Sequence, residues 1–243
     1  MIPLSIADIA EITGGSLDCV SDPDQRVTGF IEFDSRKVTK GGLFLALPGA
    51  RVDGHDYAAK AIEQGAVAVL AARPVGVPAV VVKPQGRVTG DAANADIYAH
   101  DEDGSAAAVV QALSDIAREV TRRLTAEQGL DIVGVTGSAG KTSTKDLLAT
   151  IFRAEGDTVA PPGSFNNEVG LPYTALRCDE HTRFLVAEMS ARGIGHIRHL
   201  TTITAPTVGV VLNVGTAHLG ELSLIHISEP TRLSLVSRMP SSA

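Results

Sequence analysis

Cysteine is nearly missing from this 243-residue chain, with only Cys19 and Cys178 far apart in sequence. Two lone thiols exclude a disulfide framework and suit a reducing compartment, and each is expected to be buried filler rather than a reactive group. Positive charge is also short: 21 Lys and Arg against 28 Asp and Glu leave a net charge of −7. That excludes the basic face needed for nonspecific binding to nucleic acid or to acidic membrane surfaces. No stretch approaches the roughly 18 uninterrupted apolar residues of a membrane span. The opening Met1-Ile-Pro-Leu-Ser-Ile has neither the basic region nor the apolar core of a signal peptide. A cytoplasmic protein is therefore expected. An N-K-x-D-type base-reading motif and a kinase catalytic loop are both missing, which disfavours a GTPase or a kinase.

What is present is an ordinary globular composition, 44% hydrophobic and 20% charged, long enough for one large domain or two small ones. Ser5-Ile-Ala-Asp8 reads as a helix start, with Ser5 as N-cap and Asp8 in the capping-box position, and Gly14-Gly15 ends the helix. Strands are expected at 27–33, 42–47, 66–70 and 79–82, the last three apolar enough to be buried on both faces, with a helix over 57–65 between them. From residue 83 to 105 the texture turns to Gly, Asp, Asn and Pro, which reads as a loop or linker. Val109, Leu113, Ile116, Val120 and Leu124 then fall at helical spacing and predict an amphipathic helix over 106–124. Strands at 130–133, 158–160, 184–188 and 207–212 alternate with helical or loop segments, the rhythm of a parallel sheet. The fold class is α/β: a small N-terminal α/β domain followed by a mainly parallel sheet. The expected boundaries are 1–102 for the first domain, 103–129 for linker and bridging helix, 130–221 for a partial central domain and 222–243 for a tail.

The chemistry concentrates after residue 130. Gly134-Val-Thr-Gly-Ser-Ala-Gly-Lys-Thr142 lies between a short apolar strand and a segment, 143–152, that reads as an amphipathic helix. Strand, glycine loop and helix in that order cradle a polyphosphate, because converging N–H groups and the positive end of the helix dipole face the anion. Lys141 would reach the terminal phosphates and the Thr142 hydroxyl would ligate Mg²⁺. The spacing departs from the standard P-loop, since Val135 stands at its first glycine, and the pattern is better written T-G-x-x-G-K-T. Three further clusters follow strands, where parallel sheets place function. Asn166 and Asn167 sit in a Gly- and Pro-shaped loop suited to a polar substrate or, alternatively, to Asx turns. Glu188 ends an apolar strand, where a phosphate site places a Mg²⁺ ligand or a water-positioning group. His218 follows the last strand and is either a metal ligand or a structural histidine.

Taken in order, T-G-S-A-G-K-T, G-S-F-N-N-E-V-G-L-P, A-E-M-S-A-R-G and N-V-G-T-A-H-L resemble the Mur ligase family of peptidoglycan precursor synthesis. Phe33-Asp-Ser-Arg-Lys37 and Ala46-Leu-Pro-Gly-Ala-Arg-Val-Asp-Gly-His55 are similar to the family's nucleotide-sugar domain, and the resemblance covers residues 1–221. It implies that Thr136, Gly137, Ser138, Ala139, Gly140, Lys141, Thr142 and Ser143 bind ATP. It implies Mg²⁺ on Thr142 and Glu188, a second Mg²⁺ on His218, and Lys141, Glu188 and His218 as the catalytic groups. Asn166 and Asn167 would contact a UDP-N-acetylmuramoyl-tripeptide, with Ser35 and Arg36 seating its UDP end. The branch it most resembles joins that acceptor to D-alanyl-D-alanine through an acyl phosphate. A monomer is expected. Two other readings stay open: a non-catalytic nucleotide or UDP-sugar binding fragment, and a family member that adds another amino acid.

In the family the central domain continues and a third domain of dinucleotide-binding type follows. That missing part holds a carbamylated lysine, most adenine contacts and the dipeptide surface. The resemblance therefore implies that these 243 residues do not complete the reaction by themselves. The serine-rich stretch 222–243 has no persistent period, and Ser223-Leu-Ile-His-Ile-Ser-Glu-Pro-Thr-Arg232 resembles translated sequencing-adapter DNA. It is expected to be foreign, with Glu221 the last native residue and an open apolar edge left on the central sheet.

Overall fold

The computed structural model describes residues 1–49, 52–87, 98 and 101–214. Along the chain come β1 (Leu4–Ser5), α1 (Ile6–Thr13), β2 (Ser16–Asp18), β3 (Arg26–Val27), β4 (Ile31–Glu32), β5 (Leu43–Leu45), α2 (Ala58–Glu63), β6 (Ala68–Ala71) and β7 (Ala79–Val81). Then follow α3 (Ser105–Gln128), β8 (Asp131–Thr136), α4 (Lys141–Phe152), β9 (Thr158–Val159), α5 (Gly170–Ala175), β10 (Phe184–Glu188), α6 (His196–Thr204) and β11 (Val208–Val211).

α1 starts as its sequence dictates. The Ser5 hydroxyl accepts from the Asp8 N–H at 3.0 Å, the Asp8 carboxylate accepts from the Ser5 N–H at 2.9 Å, and Gly14 closes the helix in the left-handed region. The first sheet runs β2-β7-β6-β5-β4, with β4 to β7 parallel and β2 antiparallel on the edge beside β7. A separate antiparallel pair joins β1 to β3. The single strand expected over 27–33 is two, β3 and β4, interrupted at Gly29. A Cβ on Gly29 would lie 2.7 Å from the Gly42 nitrogen, so the chain passes here as a close backbone crossing rather than as a strand.

The second sheet runs β11-β8-β10-β9, all neighbours parallel. Alternate residues of its central strands serve different cores. Ile132, Leu185 and Ala187 join a large core that reaches from Leu4 and Ile9 through Leu45 and Leu70 to Leu200 and Ile203. Val133, Val135 and Val186 join Ala149 of α4 in a small one. The predicted stripe Val109, Leu113, Ile116, Val120 and Leu124 lies wholly in the large core, so α3 fastens both sheets to one apolar interior. The N-terminus of α3 is capped from a distance: the buried Asp101 carboxylate accepts from the N–H groups of Ala106 and Ala107, each at 2.9 Å.

The thiols divide. Cys178 is buried filler as expected, and burial pushes its pKa up to about 12. Cys19 is not: it is exposed, on a positive φ of 54° in the turn after β2. No helix among the described residues is long and apolar enough to cross a membrane.

Candidate functional site

β8 delivers the glycine loop to the C-terminal edge of the second sheet. Thr136 is its last residue, and α4 begins at Lys141 itself, two residues earlier than the sequence suggested. Gly137 and Gly140 have φ of 146° and 83°, which only glycine adopts cheaply. A Cβ on Gly137 would also meet Leu212 Cβ at 3.0 Å and the Asn213 nitrogen at 3.1 Å. No side chain caps α4, so its first-turn N–H groups open toward the loop. Lys141 folds back over this concavity, donating from Nζ to the Gly137 carbonyl at 2.7 Å. The Ser138 N–H donates to the Asn213 carbonyl and the Ala139 N–H to the Asn213 side-chain oxygen, both at 3.0 Å. Asn213 thus holds two amides of the glycine loop.

Glu188 stands beside this loop, because β10 pairs with β8 in a register that sets Glu188 against Val135. It is 1% exposed. Oε1 accepts from Asn166 Nδ2 at 2.8 Å, while buried Oε2 has no hydrogen-bond partner among the described residues. A buried carboxylate oxygen without a donor is costly unless something cationic completes it. The unpartnered Glu188 oxygen fits a hard cation, and the Thr142 hydroxyl, on the first turn of α4, is the candidate second ligand. Among the described residues no group of three or more His, Cys, Asp or Glu is placed to hold a metal ion. His218 lies outside the described residues.

The loop 161–169 is held from two sides. Lys145 Nζ, on a side chain 1% exposed, donates to the carbonyls of Pro161 at 2.8 Å and Gly163 at 3.0 Å. The Ser190 N–H donates to the Asn166 carbonyl at 3.0 Å. Asn166 is thereby aimed at Glu188. The Asn167 side-chain oxygen accepts from the N–H groups of Gly170 at 2.9 Å and Val169 at 3.3 Å, which starts α5. The two asparagines anticipated as a pair therefore do different work, one at the carboxylate and one in a turn.

Ser35 and Arg36 lie in a short 3₁₀ turn after β4, Ser35 buried and Arg36 exposed. Arg36 makes a two-pronged contact with Asp34, Nε to Oδ1 at 2.9 Å and Nη2 to Oδ2 at 2.8 Å. Hydrogen bonds from the Arg36 side chain and backbone hold the Asp34 carboxyl down to about 2. A polar seam that sequence reasoning missed ties this strand end to the asparagine loop. Buried Glu32 of β4 accepts from the Tyr173 hydroxyl of α5 and from Arg177, each at 3.1 Å. The Tyr173 ring packs 5.4 Å from Phe33 and 5.7 Å from Phe165, and the Arg177 guanidinium lies 4.6 Å over it. The seam brings the UDP-end candidates and the Asn166 loop to one side of the molecule.

The geometry is matched by family comparisons. A model described as "Mur ligase family, catalytic domain" matches residues 28–124, and one described as "Mur ligase middle domain" matches residues 135–242. The chain belongs to the Mur ligase family. The middle-domain match continues through the serine-rich stretch after Glu221. The chain is 54% identical over 245 residues to the UDP-N-acetylmuramoyl-tripeptide–D-alanyl-D-alanine ligase of Mycobacterium tuberculosis, covering 100% of this chain and 47% of that protein. It is 58% identical over 224 residues to the same-named ligase of Mycobacterium leprae, covering 91% of this chain and 43% of that one. Among solved structures, a MurF from Acinetobacter baumannii aligns with a TM-score of 0.72 at 28% identity, covering 90% of this chain and 43% of that one. A Thermotoga maritima MurF ligase in complex with ADP aligns at 0.60 with 33% identity, covering 79% and 39%. The chain thus spans just under half the length of these relatives, and it carries the first two parts of the Mur ligase architecture.

Proposed function

We propose that this chain provides the ATP- and acceptor-binding portion of a ligase that joins D-alanyl-D-alanine to UDP-N-acetylmuramoyl-tripeptide through an acyl phosphate. The observation that carries the reading is the meeting, on adjacent parallel strands, of an uncapped glycine loop with Lys141 and a buried carboxylate, Glu188, that keeps one oxygen free. The two ligases of that name support the choice of substrates, and the ADP-bound relative supports the nucleotide.

The chemistry asked of these residues is charge management. An acceptor carboxylate must approach a polyphosphate, and repulsion between the two anions is the obstacle. Lys141 and the open N–H groups of α4 supply fixed positive potential at the terminal phosphates. Mg²⁺, when bound, neutralises phosphate charge, with Thr142 and Glu188 as its ligands and His218 for a second ion. Asn166 orients Glu188 by occupying one of its oxygens, and Ser35 and Arg36 take the UDP end of the acceptor. The amine of the dipeptide then displaces phosphate from the activated carbonyl. A cytoplasmic monomer is part of this proposal.

Calorimetry with Mg·ADP and with UDP-N-acetylmuramoyl-tripeptide on Lys141→Ala tests it. The expected result is nucleotide affinity weakened at least tenfold with UDP-sugar affinity unchanged; equal nucleotide affinity for both proteins would overturn the assignment of the loop. A second reading concerns the 243 residues by themselves, which span 47% of the M. tuberculosis relative: they bind both ligands without turnover. Phosphate release stimulated by D-alanyl-D-alanine in this chain alone would refute that reading.

A further inference from the structure

A cavity of about 400 Å³ lies between the segment after β7, the first turns of α3 and the start of α6. Its wall is apolar at Ala107, Ala108 and Ile194, and Gln85 and Gln111 present side-chain amides. One formally charged side chain lines it among the described residues: Glu168, which is 6% exposed.

Glu168 keeps its charge. Burial opposes ionisation, but hydrogen bonds from His196 and from its own backbone, with the nearby Arg192 charge, leave its pKa below the ordinary value. His196 contacts Glu168 Oε1 through Nε2. The Arg192 N–H donates to His196 Nδ1 at 2.9 Å, so that nitrogen bears no proton. The ring proton is then on Nε2, and His196 is a neutral donor that leaves the carboxylate its full charge. His199, also on the wall, is pushed toward its neutral form by burial. Glu168 Oε2 is buried with no hydrogen-bond partner among the described residues. A buried carboxylate in the wall of a cavity, among imidazoles, the Tyr98 ring and methyl groups, is complementary to a compact cation carried on an aliphatic stem. A guanidinium would offer a planar fork to a single free oxygen, whereas an ammonium offers a point charge.

We propose that this cavity binds a primary alkylammonium group, with Glu168 Oε2 as its counter-ion and the Ala107–Ala108–Ile194 wall around its methylenes. The amine could be that of a free small molecule or the side-chain amine of a peptide. The inference stands on the cavity and not on the nucleotide site. An NMR titration of the ¹⁵N-labelled chain tests it, following the Gln111 and Gly195 amides with n-butylamine, n-butanol and Nα-acetyl-L-lysine amide. Butylamine is expected to bind at least tenfold more tightly than the isosteric alcohol. In Glu168→Gln the amide oxygen still accepts from His196, so the wall is kept and the amine preference is lost. In Ala107→Leu the carboxylate is kept and the cavity filled, and binding falls at least tenfold. Tighter binding of the lysine amide than of butylamine identifies a peptide-borne amine, and the reverse order a free one; both sustain the site. Equal binding of amine and alcohol, no shifts in the wild-type chain, or an undiminished amine preference in Glu168→Gln would overturn it.

Discussion

The two faces of the second sheet are built on different terms. On one side α3, α5 and α6 bury a deep apolar interior shared with the first sheet. On the other, α4 covers a small cluster centred on Val133, Val135 and Val186, with Phe152 stacked on Phe184. The helix expected to be amphipathic sets Leu148, Ala149 and Phe152 against the sheet, yet it leaves Leu147 and Ile151 66% and 60% exposed and buries Lys145 to 1%. A lysine is placed inside only where its ammonium is fully used, and Lys145 both holds two carbonyls of the asparagine loop and pairs with Asp146 at 2.8 Å. The first face is held by hydrophobic area. The second is held by directed polar bonds that set the phosphate loop and the Asn166 loop at fixed positions.

Leu113→Ala, in the α3 core, should lower unfolding free energy by about 2–5 kcal/mol, read from urea midpoints at constant slope. A loss under about 1 kcal/mol would mean that α3 does not unite the two sheets. Lys145→Met should cost less, about 1–3 kcal/mol, because two carbonyls lose their donor. Its distinguishing sign is local: amide exchange should quicken through 161–170 while α3 keeps its protection. Uniform loosening would deny the loop-holding role. Ile151→Lys should stay within about 0.5 kcal/mol of the parent; a loss comparable to Leu113→Ala would show that a further element packs on that face.

Much of the architecture was legible in local pattern. The capping box at Ser5 and Asp8, the α3 stripe and the strand–loop–helix around Lys141 are encoded in neighbouring residues. Asn166 and Glu188 were legible as separate strand-end residues, and the pairing of β9 with β10, with the Ser190 N–H on the Asn166 carbonyl, makes them partners. What stayed hidden depends on distant contacts. The two-residue strands β1 and β3 lack a period of their own, and the Gly29 crossing needs Gly42 to be seen. The Glu32–Tyr173 bond spans 141 positions. The burial of Lys145 on α4 could not be read from its own residues, because two of its partners are the Pro161 and Gly163 carbonyls, which no side-chain pattern announces. Asn167 was legible only as one of two alternatives, and the structure shows its oxygen in the turn.

The most direct test of the phosphate loop is an NMR titration with Mg·ADP, following the amides of Ser138 and Ala139. The account expects both to shift with a common saturation curve, as phosphate oxygens replace Asn213, and expects Lys141→Ala to abolish the response at the same nucleotide concentration. Saturable Mg·ADP binding that leaves those two amides unmoved would place the nucleotide elsewhere and contradict the account.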